Sequence, residues 1–241
     1  MRKNTVKEKW RRGEIVYGAW LGIPSALSAE IVARQGYDYA CVDMQHGAID
    51  FADAYDMIVA ISGTETMPFV RVPWNEFGII NKVLDAGAMG VIIPMVNTPE
   101  EAQACVRACR YAPEGARSYG PTRAAMWAGD GYFEQANAEI ACIPMVETRE
   151  AVARLDEILA VEGIDAVYVG PADLSVSLGM TPGLRNPGEW EAARVTIAEA
   201  CGKYGIAAGM HAPDPSLYRF HEAAGYRMIT AMSDMVALTE G

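Results

Sequence analysis

Four apolar runs in this sequence stop at residues able to do chemistry: YACVDMQHG delivers Asp43 and His46, PFVRVPWNE delivers Arg71, ACIPMVETRE delivers Glu147, and AVYVGPADLS delivers Asp173. A guanidinium at a strand end can grip a carboxylate or stabilise an oxyanion with its fork of donors, although it can equally serve a salt bridge to a neighbouring acid. A histidine just past an aspartate, in a turn containing Gly47, can act as a general base near neutral pH. Glu147 and Asp173 each follow a fully apolar run, and two carboxylates brought together there repel. A hard dication such as Mg2+ or Mn2+, which takes oxygen ligands, removes that conflict. Taken separately, the same two acids read as a first-turn helix residue and an N-cap. The GPAD turn adds an anion site, because Gly170 and Pro171 turn the chain out of its strand and leave the amides of Ala172 and Asp173 free at a helix start. Of the other histidines, His221 falls mid-helix, and His211, after the seventh strand, is the weaker rival to His46.

Positioning these groups on one rim requires a repeated scaffold, and short apolar runs alternate with helical patterns at almost constant spacing. Strands are expected at 15–20, 39–43, 67–72, 90–94, 141–146, 166–169, 206–210 and 228–231, with amphipathic helices such as 25–35, 51–61, 76–86, 99–110 and 189–204 between them. Continuous apolar strands such as GVIIP and AVYVG suit a parallel sheet covered on both faces. A count of eight favours a closed (β/α)8 TIM barrel of the α/β class over an open doubly wound sheet, and no GxGxxG turn or GxxxxGK[ST] loop supplies a nucleotide-binding reason for the open form. In such a barrel the reactive groups belong at the C-terminal strand ends, where Asp43, Arg71, Glu147 and Asp173 fall. Segment 4–12 reads as a short helix capping the barrel bottom. Segment 111–139 carries Gly, Pro and aromatics in place of a clean helix, the composition of a functional lid.

The length of 241 residues suits one barrel domain spanning 1–241, and 51% hydrophobic residues can fill its core. With 20 basic against 31 acidic residues, the net charge of −11 makes nucleic acid and anionic membranes poor partners. An anionic substrate must then be met by a local feature: one arginine, a metal or a set of amides. Cys41, Cys105, Cys109, Cys142 and Cys201 form no CxxC pair and read as reduced thiols of a cytoplasmic protein. No apolar run approaches a membrane span.

At the same residues the sequence resembles the metal-dependent (class II) pyruvate aldolases of the HpcH/HpaI aldolase/citrate lyase family, which includes 4-hydroxy-2-oxoheptanedioate aldolase and 2-dehydro-3-deoxyglucarate aldolase. The likeness runs from GAWLGIPSALSAEIVARQGYDYACVDMQHG through PFVRVPWNE, LDAGAMGVIIPMVNTPEEA and RYAPEGARSYGP to VETREAV and GIDAVYVGPADLS. It implies that Glu147 and Asp173 coordinate a divalent metal (Mg2+, Mn2+ or Co2+) that binds a 2-oxo acid. It further implies that Arg71 stabilises the enolate oxygen and that His46, supported by Asp85 of LDAGAMG, acts as the base. Gly170 and the amides of Ala172 and Asp173 would then hold the pyruvate carboxylate, and Trp20 and Asp43 would line the pocket. The expected reaction is cleavage of a 4-hydroxy-2-oxo acid to pyruvate and an aldehyde, with an oxaloacetate-type decarboxylation through the same enolate as the alternative. Members assemble as homo-oligomers, usually hexamers, so a hexamer or trimer is expected. The sequence departs from many members in having Met145 where Gln often precedes the metal glutamate, and in having DMQH where Glu often precedes the histidine. The RSYGP segment, with Tyr119 and Arg123, resembles the branch containing macrophomate synthase. A Schiff-base lysine is not called for, since Lys82 and Lys203, the only lysines after residue 9, stand at no expected strand end.

Overall fold

The computed structural model describes residues 1–240. Its strands are β1 Val16–Leu21, β2 Tyr39–Asp43, β3 Met67–Arg71, β4 Gly90–Ile93, β5 Ala141–Pro144, β6 Ala166–Val169, β7 Ala207–His211 and β8 Met228–Ser233. All neighbouring pairs are parallel, in the order β5-β4-β3-β2-β1-β8-β7-β6. The remaining gap is spanned by a bridge between Met145 and Tyr168, where the Val146 amide donates to the Tyr168 carbonyl at 2.9 Å. The result is a nearly closed eight-stranded TIM barrel with helices around it, as the alternation of the sequence predicts.

Local sequence explains most boundaries. Asp50 with Asp53, and Thr98 with Glu101, form capping boxes that start the helices Phe51–Ser62 and Pro99–Cys109. Gly87, at φ 110°, ends the helix Phe77–Ala86 in the left-handed region that side chains avoid. Each strand overlaps its expected segment. β3, β4 and β5 stop earlier than their apolar runs, at Arg71, Ile93 and Pro144, while β7 and β8 run on to His211 and Ser233. Apolar character continues past the last ladder bond there because the rim is itself buried, as at Val72, Val96 and Val146.

Segment 111–139 corrects an expectation. It contains two helices, Thr122–Ala128 and Tyr132–Glu139, and it leads from the helix Pro99–Cys109 into the start of β5. A helix-to-strand connection of this kind lies at the N-terminal end of the barrel, which is where conserved architecture serves stability. The contacts agree: the amide of Arg2 donates to Ala128, and Asn4 donates to the carbonyls of Met89 and Glu139. In this chain the segment therefore buttresses the base and covers no strand C-terminus. The capping helix is present at Thr5–Arg11, with Asn4 as its N-cap and the buried Lys7 paired to Asp165 before β6.

The barrel interior is filled by rings. Tyr39, Phe69 and Tyr168 are all fully buried, and each lies beside a glycine that is its register partner on the next strand: Gly18, Gly90 and Gly209 respectively. A Cβ on Gly18 would fall 2.0 Å from the Tyr39 ring, so the strand can carry no side chain there. Tyr39 stacks on Phe69 at 5.1 Å between centroids, and Trp20 stacks on Tyr168 at 5.4 Å. A second apolar layer lies between the sheet and the helices. All five cysteines are buried and unpaired, and no helix among the described residues is long and apolar enough to cross a membrane.

Two outcomes follow for stability. Gly18→Ala should lower the free energy of unfolding by at least ~1–3 kcal/mol through overpacking, read from the urea midpoint; an unchanged midpoint would show that the ring has room to move. His221 is fully buried between Phe220 and Tyr226, with no hydrogen-bond partner for either ring nitrogen among the described residues. Burial, followed by the nearby Arg194, lowers its pKa from 6.5 to about 4. The unfolded chain therefore takes up this proton first as pH falls. The contribution of His221 is intact above pH 6.5 and drains away between 6.5 and about 4, at up to ~1.4 kcal/mol per pH unit. His221→Phe should flatten that part of the stability profile in chemical denaturation.

Candidate active site

The C-terminal ends of the strands enclose a cavity of about 530 Å³, into which Trp20, Asp43, His46, Arg71, Gly170, Ala172 and Asp173 all project a surface. Its organising contact is between β2 and β3, where Asp43 and Arg71 are register partners. Arg71 Nε donates to Asp43 Oδ1 at 2.8 Å and Nη2 to Oδ2 at 2.6 Å, a side-on fork buried on both sides. Asp43 also accepts from Trp20 Nε1 at 3.0 Å and from the amides of Gln45 and His46 at 3.1 and 3.3 Å. Five donors on two oxygens exceed the usual four lone-pair directions, so Asp43 has no capacity left for a ligand. It holds the guanidinium, the indole and the His46 turn instead. Its pKa is lowered by the bond and charge of Arg71 even though burial alone would raise it, and the Arg71 pKa is raised in return. The Arg71 guanidinium also lies 4.9 Å over the Trp20 ring.

Glu147 follows β5 and is 2% exposed, while Asp173 stands exposed in the first turn of the helix Pro171–Ser177. Burial pushes the Glu147 carboxyl up to about 7; the charge of Asp173 pushes the same way, against the Met95 amide and Arg71. Glu147 Oε1 accepts from the Met95 amide at 2.8 Å. Its Oε2 faces Gly170 so closely that a Cβ there would lie 2.2 Å away. Met95, at φ 56°, is the one non-glycine among the described residues with positive φ, a strained setting that aims its amide at the carboxylate. The pair fits a dication, since the strand end offers one free carboxylate oxygen, a neighbouring acid and space kept open by a glycine. No third His, Cys, Asp or Glu among the described residues joins them, so such an ion would keep sites for water or substrate oxygens.

The profile of the HpcH/HpaI aldolase/citrate lyase family matches residues 17–235, which spans the whole rim. The chain belongs to this family. A hydroxypyruvate/pyruvate aldolase of Rhizorhabdus wittichii is 40% identical over 237 residues, covering 98% of this chain and 94% of that protein. A 2-keto-3-deoxy-L-rhamnonate aldolase of Salmonella schwarzengrund is 39% identical over 244 residues, covering 98% and 90%. The crystal structure of an HpcH/HpaI aldolase/citrate lyase family protein from Burkholderia cenocepacia superposes with a TM-score of 0.92 at 35% identity, covering 98% and 95% of the two chains. The chain is thus an enzyme of an aldolase and lyase family.

One residue expected at the site of this family member is elsewhere. Asp85 lies near the end of the helix Phe77–Ala86 and accepts from Arg117 Nη2 at 2.8 Å. A helix that follows β3 runs away from the rim, so its last turn approaches the barrel base, and within one chain Asp85 does not support His46. The His46 ring makes no hydrogen bond, and the residue is exposed at the cavity edge. Conversely, the weaker rival His211 lines the cavity at the end of β7, its ring 5.1 Å from Trp20. Burial, then the charge of Arg71, lowers its pKa to about 4, which keeps it neutral. Met95 was not legible, because nothing in PMVNTP marks a left-handed methionine. Ile23, Pro24, Leu184 and Met235 supply an apolar outer wall that only the folded chain reveals.

Asp43→Ala would leave Arg71 buried without its counter-charge. A loss of ~3–5 kcal/mol in unfolding free energy is expected from chemical denaturation, and a loss below ~1 kcal/mol would mean that Arg71 finds another partner.

Proposed function

We propose that this enzyme is a class II pyruvate aldolase that cleaves a 4-hydroxy-2-oxo acid to pyruvate and an aldehyde. The observation carrying this reading is a clamped guanidinium that faces the same cavity as Asp173, with the buried Glu147 carboxylate set directly behind Gly170 of the cavity wall. Glu147 and Asp173 would hold a divalent cation, Mg2+, Mn2+ or Co2+. When bound, that ion supplies positive charge beside the 2-oxo acid, which lowers the energy of an electron-rich oxygen on C2.

The chain's own residues account for the remainder. The first-turn amides of Ala172 and Asp173 have no helical carbonyl behind them and suit the substrate carboxylate. His46 takes the proton of the C4 hydroxyl. As the C4–O bond becomes a carbonyl, the C3–C4 bond breaks and its electron pair moves through C3 and C2 to the C2 oxygen, giving the enolate of pyruvate. Arg71 has donors beyond the two engaged by Asp43, and these stabilise the charge on that oxygen from a buried side chain held in place beforehand. Protonation at C3 completes pyruvate, and the new carbonyl leaves as the aldehyde. Asp43 and Trp20 keep the guanidinium from turning away, which matters because stabilisation aimed at a developing charge depends on donors fixed beforehand. The exposed apolar side chains Leu27, Ile31, Val59 and Leu238 support assembly with further copies of the chain.

Purified enzyme should release pyruvate from a 4-hydroxy-2-oxo acid, lose that activity in EDTA and regain it with Mg2+, Mn2+ or Co2+; full activity in chelator would sink the reading. Asp173→Ala should abolish both turnover and Mn2+ binding followed by electron paramagnetic resonance. Gly170→Ala should do the same while the chain stays folded, because φ −85° tolerates alanine but the added Cβ would meet Glu147 Oε2. Mn2+ binding unaffected by Gly170→Ala would refute the assignment of that oxygen as a ligand.

A further inference from the structure

A line of hydroxyls runs from the barrel interior to the cavity. Tyr39 OH lies 3.0 Å from Thr230 Oγ1, Thr230 Oγ1 lies 2.5 Å from Tyr168 OH, and Tyr168 OH lies 3.3 Å from His211 Nδ1. Tyr39, Thr230 and Tyr168 are fully buried. Three hydroxyls bring three protons to three contacts. Only one sense uses them all: Tyr39 donates to Thr230, Thr230 to Tyr168, and Tyr168 to Nδ1. Running the line backwards leaves the Tyr39 proton in a dry interior with no acceptor among the described residues. Making Thr230 a double acceptor strands its own proton instead. A buried unsatisfied donor costs ~1–3 kcal/mol, enough to fix the direction.

We infer that this relay locks His211 in the neutral tautomer protonated at Nε2, and that the Nε2–H is a fixed donor to a carbonyl or hydroxyl oxygen of the bound substrate. With Nδ1 turned inward to Tyr168, Nε2 occupies the opposite edge of a ring that lines the cavity; it has no protein partner and is not sealed from solvent. Trp20 packs edge-on against the ring at 75°, which blocks its rotation. The nearby Arg71 charge opposes an imidazolium at this position. His211 then differs in kind from His46: it offers a hydrogen bond to an oxygen and does not exchange protons. The role toward substrate rests on the aldolase reading; the tautomer does not.

Only three histidines are present, so 15N-histidine labelling of the full-length protein resolves them, with His211 assigned by the signals lost in His211→Gln. At pH 7 His211 should show a protonated Nε2 and a hydrogen-bonded, unprotonated Nδ1, and Thr230→Val, which cuts the relay, should give a mixture of tautomers. A protonated Nδ1 in the native protein, or an unchanged spectrum in Thr230→Val, overturns the relay. For the substrate role, His211→Ala should lower kcat/KM for aldol cleavage by ~10–100-fold, and His211→Gln, whose amide donates from nearly the same place, should recover most of the loss. Equal activity in His211→Ala and the native enzyme, or equal loss in both variants, overturns the donor role. A native enzyme without aldolase activity, but with the expected tautomer, would instead overturn the aldolase reading.

Discussion

A guanidinium taken out of water must be paired, and at the mouth of this barrel that requirement organises three strands. Arg71 at the end of β3 is matched by Asp43 at the end of β2, which in turn fixes Trp20 of β1 and the backbone of the His46 turn. The pair is buried, so neither partner can be lost without leaving a bare charge. Arg71 is thereby presented to the cavity with its direction already set. The geometry that would stabilise an anionic oxygen exists before any ligand arrives, which is the property that makes electrostatic stabilisation effective.

The opposite wall is built from tension. Glu147 is buried beside another acid, with only one oxygen satisfied by the protein, and the backbone is bent into a rare conformation at Met95 to satisfy even that one. A chain shaped only for stability would place an apolar side chain here. The retained conflict, like the gap that Gly170 leaves in front of the carboxylate, is what the proposed cation would relieve.

How much of this was legible in the residues depends on which physical rule set each feature. Buried parallel strands demand continuous apolar runs, so β2 and β6 could be read to the residue, and the polar groups that end those runs could be assigned to one rim. The neighbourhood of Asp43 and Arg71 was legible, but the two-bond fork that joins them was not. Asp43 lines the cavity as expected, but its oxygens are wholly occupied by protein donors, which the sequence did not show. Segment 111–139 was misjudged because its glycines and prolines separate two short helices at the barrel base, and composition cannot say at which end of a barrel a connection lies. Asp85 was tied to His46 by likeness alone; the helix carrying it descends from the rim. His211 was undervalued because its partner is a tyrosine hydroxyl on another strand, a relation that no spacing in the sequence encodes.

The alternation of interior rings with glycines on adjoining strands leaves no passage through the middle of the molecule. Tyr168 and Trp20 close the cavity from below, with Tyr39 and Phe69 stacked beneath the rim as a further plug. Traffic is therefore one-way in geometry and two-way in use: whatever enters past Ile23, Pro24 and Leu184 must retreat along the same route. Of two fragments in such a space, the inner one would wait until the outer one had cleared the mouth. A dead-end vessel of this shape imposes an order of departure that an open tunnel would not.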